Sequence, residues 1–266
     1  EHALPPGGHT PWFDAGGCPL KWQFPLGVLY DLHHPNETSQ PWRITVHFRD
    51  FPHSELLGCD EAALRSAFMN SMKEAAFALT GSASRVMSSH SLLEAAWEHM
   101  GKGNCAVFCQ KVSEIDLRPS MNSNRNARIP VRVLISSPQA GAQWSWKFVT
   151  TISRPIDTQA LGSAPESATL FDTLHFVAPT IFPDSAEWQH VDCEAAEEQR
   201  DSQPTRTDRS EACPKLFHFP PHVRVTVSGV EPPPSSPLIW LHECLKNMDN
   251  FLYIVVHVDQ ATQQTD

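Results

Sequence analysis

The spacing of apolar residues changes period twice along this chain, and that change limits the folds open to it. In residues 41–48, Ile44, Val46 and Phe48 alternate with Arg43, Thr45 and His47, the period-two pattern of a strand with one buried face. Between residues 60 and 116 the repeat lengthens to that of helices. Leu64, Phe68, Met72 and Leu79 share one face of a first helix expected to stop near Thr80-Gly81. A second, from about Ser91, gathers Leu92, Leu93, Ala96, Trp97 and Met100 until Gly101 and Gly103 break it. Asn104 is placed to cap a third, with Phe108, Val112 and Ile115 facing inward.

From residue 128 the period returns to two. Ile129, Val131, Val133 and Ile135 alternate with Arg128, Arg132 and their neighbours. After a Ser-, Pro- and Gly-bearing loop, Trp144, Trp146, Phe148 and Ile152 alternate again, which predicts a hairpin. Residues 167–177 read as a helix with Leu170, Leu174 and Val177 inward. Val223, Val225 and Val227 form a further strand pattern, Pro237-Leu238-Ile239-Trp240-Leu241 starts a short helix, and residues 251–258 are apolar on both faces, as in a central strand. The order strand, strand, helix, strand, short helix, strand is that of a ubiquitin-like β-grasp domain, and it also fits other small α+β folds.

Two segments carry little that could pack. Residues 1–17 are Gly- and Pro-rich and are expected to hold no structure unaided, and residues 183–214, acidic and nearly free of large aliphatics, read as a disordered insertion. With 266 residues and 41% apolar content there is ample material for one to three domains. The net charge of −10 argues against a general nucleic-acid binder, which needs clustered Lys and Arg. No apolar run approaches the roughly 18 residues of a membrane span, so any membrane contact is expected to be peripheral. The seven cysteines match neither a disulfide framework nor paired zinc knuckles, and a reducing cytoplasmic setting fits them best.

Few residues offer chemistry. Cys105 and Cys109, four apart on a helix, read as core packing rather than metal ligands. The pairs His33-His34 and His218, His222 lack Cys or carboxylates at ligand spacing and read as surface histidines. No cysteine sits in a recognisable nucleophile motif, which weighs against a Cys-His hydrolase, and there is no Gly-rich phosphate loop. Trp22, Trp42, Trp97, Trp144, Trp146 and Trp240 read mostly as core anchors, with one or two open to lining a partner groove, where aromatics are favoured. Among the seven lysines, Lys73 is turned roughly 100° from Met72, at the margin of the apolar stripe of the first helix. Alone it reads as a solvated flank residue. A lysine so placed can bury its stem and present its amine, and an amine nucleophile must first lose the proton that free lysine holds to a pKa of about 10.4.

The blocks Pro19-Leu20-Lys21-Trp22, Phe24-Pro25-Leu26-Gly27-Val28-Leu29-Tyr30-Asp31-Leu32, Pro41-Trp42-Arg43-Ile44-Thr45-Val46-His47-Phe48 with Phe51-Pro52, and Phe68-Met69-Asn70-Ser71-Met72-Lys73-Glu74-Ala75 follow one another in order. Val230-Glu231-Pro232, Pro237-Leu238, Trp240-Leu241 and Asp249-Asn250-Phe251-Leu252 continue the series near the C-terminus. Together they resemble the autophagy protein 5 family over residues 18–258. The resemblance implies an α+β architecture of two ubiquitin-like β-grasp domains flanking a helix-rich domain. The expected bounds are 1–17 for a disordered start, 18–57 for the first ubiquitin-like domain, 58–120 for the helical one and 127–260 for the second. The family's first domain opens with a helix, a strand hairpin and its main helix before the segment matching Phe13. That N-terminal part is expected to be lacking here, leaving strand 44–48 with an unpaired edge and an exposed apolar face.

For function, the resemblance implies an acceptor and scaffold rather than an enzyme, with no catalytic residue, metal or cofactor. The C-terminal glycine of the ubiquitin-like autophagy protein 12 would be joined by an isopeptide bond to Lys73, the lysine that matches the family's motif, through separate E1-like and E2-like enzymes. The conjugate would bind the coiled-coil autophagy protein 16 and promote transfer of autophagy protein 8 to phosphatidylethanolamine at the preautophagosomal membrane. Gly27 and Asp31 match positions near the coiled-coil groove, with a structural turn or helix-end role as the competing reading. The alternative function is a ubiquitin-fold binding module that holds the coiled coil without being conjugated.

Overall fold

Gly16 and Gly17 both take left-handed backbone angles, φ 60° and 82°, a conformation that suits glycine and strains other residues. They join strand β1 (Trp12–Ala15) to β2 (Cys18–Pro19) as an antiparallel hairpin, with the Gly17 N–H donating to Asp14 Oδ1 at 3.0 Å. The other edge of β1 pairs antiparallel with β3 (Thr45–His47), setting Phe13 opposite Val46. One expectation is thereby corrected. Residues 12–15 of the supposedly unstructured start form a strand, and it pairs one edge of the strand within 44–48, whose other edge has no partner among the described residues. A Gly-Gly pair is a hairpin turn as much as a loop signal, and the hairpin supplies the pairing. The apolar face is indeed open, with Phe13 45%, Val46 46% and Phe48 41% exposed.

The structure, a computed structural model, describes residues 11–33, 41–82, 84–115, 128–138, 144–161, 168–183 and 218–259. Helix α1 (Leu26–His33) bridges two cores. Leu29 packs with Ala15 and Leu20 of the small sheet, whereas Val28 and Leu32 pack with Leu134, Phe251, Tyr253 and Val255 of the larger one.

Helices α2 (Glu61–Thr80), α3 (Ser84–Ser88), α4 (His90–Gly101) and α5 (Cys105–Glu114) follow. Asp60 caps α2 by accepting from the Ala63 N–H at 2.7 Å, Gly81 ends it in the left-handed conformation, and Asn104 caps α5 through the Val107 N–H at 3.3 Å. Phe68, Met72, Ala76, Leu79, Leu93, Ala96, Phe108 and Ile115 make their common core. Leu64 departs from the expected stripe and stands 38% exposed. Cys105 and Cys109 are exposed too, not packed in the core as expected, because α5 turns Phe108 inward instead.

The second sheet has the order β5-β4-β7-β6, from β4 (Arg128–Ser136), β5 (Val149–Asp157), β6 (Val223–Thr226) and β7 (Leu252–Val258). The central pair β4 and β7 is parallel and the flanking pairs are antiparallel, the β-grasp arrangement. After the short α6 (Thr158–Leu161), helix α7 (Leu170–Val177) is started by a capping box between Thr169 and Asp172, and α8 (Leu238–Leu245) precedes β7. Both pack on the sheet through Leu170, Leu174, Leu238 and Leu241. Trp144 and Trp146 lie outside the strand expected of them. Trp146–Phe148 is a 3-10 turn, and the ladder begins at Ser136 opposite Val149. The Trp146 indole is drawn away to donate to the Pro19 carbonyl at 2.7 Å and to stack on Phe24. Beyond Pro183, the insertion expected at 183–214 lies outside the described residues.

Candidate functional site

Two sides of α2 are occupied by its own domain and by the neighbouring sheet. Met72 and Ala76 face the helical core, while Ala75 joins Leu134, Phe251 and Tyr253 of the second sheet. At 100° per residue, Ser66, Asn70, Lys73 and Phe77 fall within roughly 60° of one another on the remaining side, and all four are exposed. Lys73 makes no hydrogen bond or ion pair among the described residues. Its helical neighbours at three and four residues are Met69, Asn70, Ala76 and Phe77, so no carboxylate stands where it could pair along the helix.

Glu74, the nearest carboxylate in sequence, is engaged elsewhere. Its Oε2 accepts from Arg132 Nη2 of β4 at 2.8 Å. The same guanidinium donates to the Tyr253 hydroxyl oxygen at 2.7 Å and to Asp249 Oδ2 at 3.2 Å, and lies 3.8 Å from the Phe251 ring centre. It also reaches Ser71 Oγ at 3.4 Å. Tyr253 in turn donates to Asp249 Oδ2 at 2.7 Å. Arg132 is 16% and Asp249 14% exposed at the side chain. Burial pushes the Asp249 carboxyl up, against the pull of the Tyr253 hydroxyl and the guanidinium. Residues on either side of Lys73 are thus fastened to the second sheet, while Lys73 itself is left without a partner among the described residues. Alternation along β4 reads Arg132 as solvent-facing, so only the tertiary structure shows this latch.

A groove of about 420 Å³ opens where the three parts of the chain meet. Its walls come from Trp22, Phe24, Leu26 and Gly27 ahead of and within α1, from Leu64, Phe68 and Ser71 of α2, from Trp97 and Met100 of α4, and from Asn247, Met248, Asp249 and Tyr253. Three exposed large apolar side chains, Leu26 (61%), Met248 (50%) and Leu64 (38%), converge on it. An apolar trough with one polar end suits the apolar stripe of an amphipathic helix. The sequence marked Gly27 for this place and left Trp22 and Trp97 open to it, but did not mark the turn at 247–249.

Sequence models of three regions of one family match the chain in order. The Autophagy protein ATG5 UblA domain matches residues 3–48, the alpha-helical bundle region 61–112, and the UblB domain 128–256. Autophagy protein 5 of Oryza sativa subsp. indica is 32% identical, covering 96% of this chain and 79% of its own. The chain belongs to the autophagy protein 5 family. Family membership gives it a role in autophagy and two ubiquitin-like regions flanking a helical bundle. Autophagy protein 5 of Arabidopsis thaliana is 27% identical over 97% of this chain and 82% of its own. The crystal structure of Kluyveromyces marxianus Atg5 shares the fold, with a TM-score of 0.57 at 20% identity, over 93% of this chain and 73% of that one.

Within this member of the autophagy protein 5 family, the two expected groove residues part company. Gly27 is exposed in the groove, and a Cβ there would meet nothing within 4 Å. Asp31 is only 5% exposed. Its Oδ2 accepts the Gly229 N–H at 3.0 Å and its carbonyl oxygen accepts from His257 Nε2 at 2.9 Å. Burial pushes its carboxyl up, and the Gly229 N–H opposes that. Asp31 therefore ties α1 to the turn after β6 and to β7, the structural role that competed with the partner-facing one, since α1 turns it to the sheet. His218 and His222 meet in a separate cleft beside β6 with Arg224, Glu231 and Asp259. Trp240 is 53% exposed rather than a core anchor, since α8 buries Leu238 and Leu241 on its other side. Among the described residues no helix is long and apolar enough to cross a membrane.

Proposed function

We propose that this chain is the acceptor for a ubiquitin-like modifier, autophagy protein 12, at Lys73, and acts as a scaffold rather than an enzyme. The observation that carries the reading is the isolation of Lys73. It is an exposed amine with no partner among the described residues, on a helix whose neighbouring residues Ser71 and Glu74 are fixed by Arg132. Free of its proton, Nζ attacks the thioester carbonyl of the modifier's C-terminal glycine. A C–N bond forms, the C–S bond to the E2-like enzyme's cysteine breaks, and the sulfur leaves as thiolate while the nitrogen's surplus proton passes to solvent. Proton removal is work for the E2-like enzyme's site. In a reconstituted reaction with the modifier and its E1-like and E2-like enzymes, the wild-type chain is expected to gain the mass of one modifier. Lys73→Arg is expected to reduce that product by at least about a hundredfold, because guanidinium stays protonated. An undiminished product from Lys73→Arg would assign the acceptor elsewhere.

In the same reading the groove receives one helix of the coiled-coil autophagy protein 16, and the assembled conjugate promotes transfer of autophagy protein 8 to phosphatidylethanolamine while peripherally bound at the preautophagosomal membrane. Support comes from the convergence of Leu26, Leu64 and Met248 on one trough. Placing a charge there, Met248→Glu, is expected to weaken binding of the coiled-coil segment roughly 30-fold, as for an interface hot spot of about 2 kcal/mol, by calorimetric titration. Unchanged affinity would place the coiled coil on another surface. If the groove variant loses the coiled coil and no conjugate forms with wild type, the chain is a non-conjugated binding module.

A further inference from the structure

Phe77 lies one helical turn beyond Lys73 and is 59% exposed. Its position on α2 is odd on two counts. Every other large apolar side chain in the second half of this helix is buried: Met72 and Leu79 are 0% and 3% exposed. Its companions on the exposed strip, Ser66, Asn70 and Lys73, are polar. The ring makes no aromatic contact among the described residues, and only its backbone is engaged, its carbonyl accepting the Gly81 N–H at 2.8 Å. An exposed phenylalanine at this point does not serve the helical core, which Phe68, Met72 and Leu79 already fill.

Residues four apart on a helix stand about 5–6 Å apart at Cβ, on one face. A tail that reaches Lys73 Nζ along this strip from its C-terminal end therefore passes within van der Waals reach of Phe77. Resting on the reading of Lys73 as acceptor, we infer that Phe77 is a positioning residue for that reaction: its ring receives an apolar side chain in the extended C-terminal tail of the incoming modifier thioester. The contact holds the glycine carbonyl over the amine and covers the approach from water. The polar strip otherwise offers the tail only Ser66 and Asn70, which can align a backbone but bury nothing. The bonds made and broken are those of the acceptor reaction itself; Phe77 contributes only binding and orientation.

The test is single-turnover transfer from the E2-like enzyme, preloaded with the modifier as its thioester, to the wild-type chain and to Phe77→Ala and Phe77→Leu, with acceptor concentration varied. Phe77→Ala is expected to raise the half-saturating acceptor concentration about tenfold, to change the saturated rate less, and to leave the midpoint of thermal unfolding unchanged because the ring is not in the core. Phe77→Leu, which restores an apolar surface, is expected to recover most of the loss. Phe77→Ala with wild-type half-saturation overturns the inference, as does a loss that Phe77→Leu shares in full. Absence of any Lys73 product from the wild-type chain would instead remove the acceptor reading on which the inference rests.

Discussion

Replacing Arg132 with alanine is expected to destabilise the protein by about 3–5 kcal/mol, the cost of breaking a buried ion pair from one side. The guanidinium is the common partner of Asp249, Tyr253, Glu74 and Ser71. Its removal leaves Asp249, 14% exposed, with the Tyr253 hydroxyl and the Phe251 N–H to hold its charge among the described residues. Glu74, exposed on the helix surface, loses little by comparison. Arg132→Lys should fall between, since an ammonium cannot span Asp249, Tyr253 and Glu74 at once. Arg132→Met with Asp249→Leu should cost less than Arg132→Ala alone, because no buried charge is then orphaned. The midpoint of urea unfolding reads all three. An alanine variant as stable as wild type would show that α2 is held to the sheet by apolar packing alone.

The second large effect is one of pH. His242 is fully buried on the inner face of α8, with Nε2 donating to the Asn250 carbonyl at 3.1 Å and Nδ1 without a hydrogen-bond partner among the described residues. Burial, aided by Lys246, pushes its pKa down to about 4, against the pull of the Asn250 carbonyl. His257, 5% exposed, is lowered in the same sense by burial. In the unfolded chain both titrate near about 6.5. The neutral folded form therefore contributes its full stability above about 6.5, and that contribution is lost as pH falls towards 4, by about 3 kcal/mol for His242 alone. Asp31 and Asp249, raised by burial, act in the opposite sense once they begin to take up protons, so the histidine effect is clearest between pH 6.5 and 5. His242→Gln keeps a donor for the Asn250 carbonyl and cannot be charged. Its stability should vary less with pH across that interval, by about 1 kcal/mol per unit. Parallel wild-type and variant curves would contradict this.

Much of the second domain was legible because periodicity alone separates its parts. Residues 251–258, apolar on both faces, could only be central, and β7 lies between β4 and β6. The caps at Asn104 and Gly81 were legible for the same reason: each is a local choice between side chain and backbone. What failed were residues whose place is set by distant partners. Trp146 alternates like a strand residue, yet Pro19 and Phe24 decide its backbone. Asp31 matches a groove position, yet Gly229 and His257 claim it. Gly16-Gly17 was ambiguous between loop and hairpin until β3 supplied a strand for β1 to pair with. Of the candidate site, Lys73 was marked by the resemblance and not by its own chemistry. Its freedom from any carboxylate is visible only once Arg132 is seen to hold Glu74.

That freedom is the centre of the account, and peptide mapping of the purified conjugate tests it most directly. After digestion, mass spectrometry should find the modifier's C-terminal remnant on the peptide containing Lys73 and leave Lys21, Lys102, Lys111, Lys147, Lys215 and Lys246 unmodified. A remnant on any of those six with Lys73 bare would contradict it.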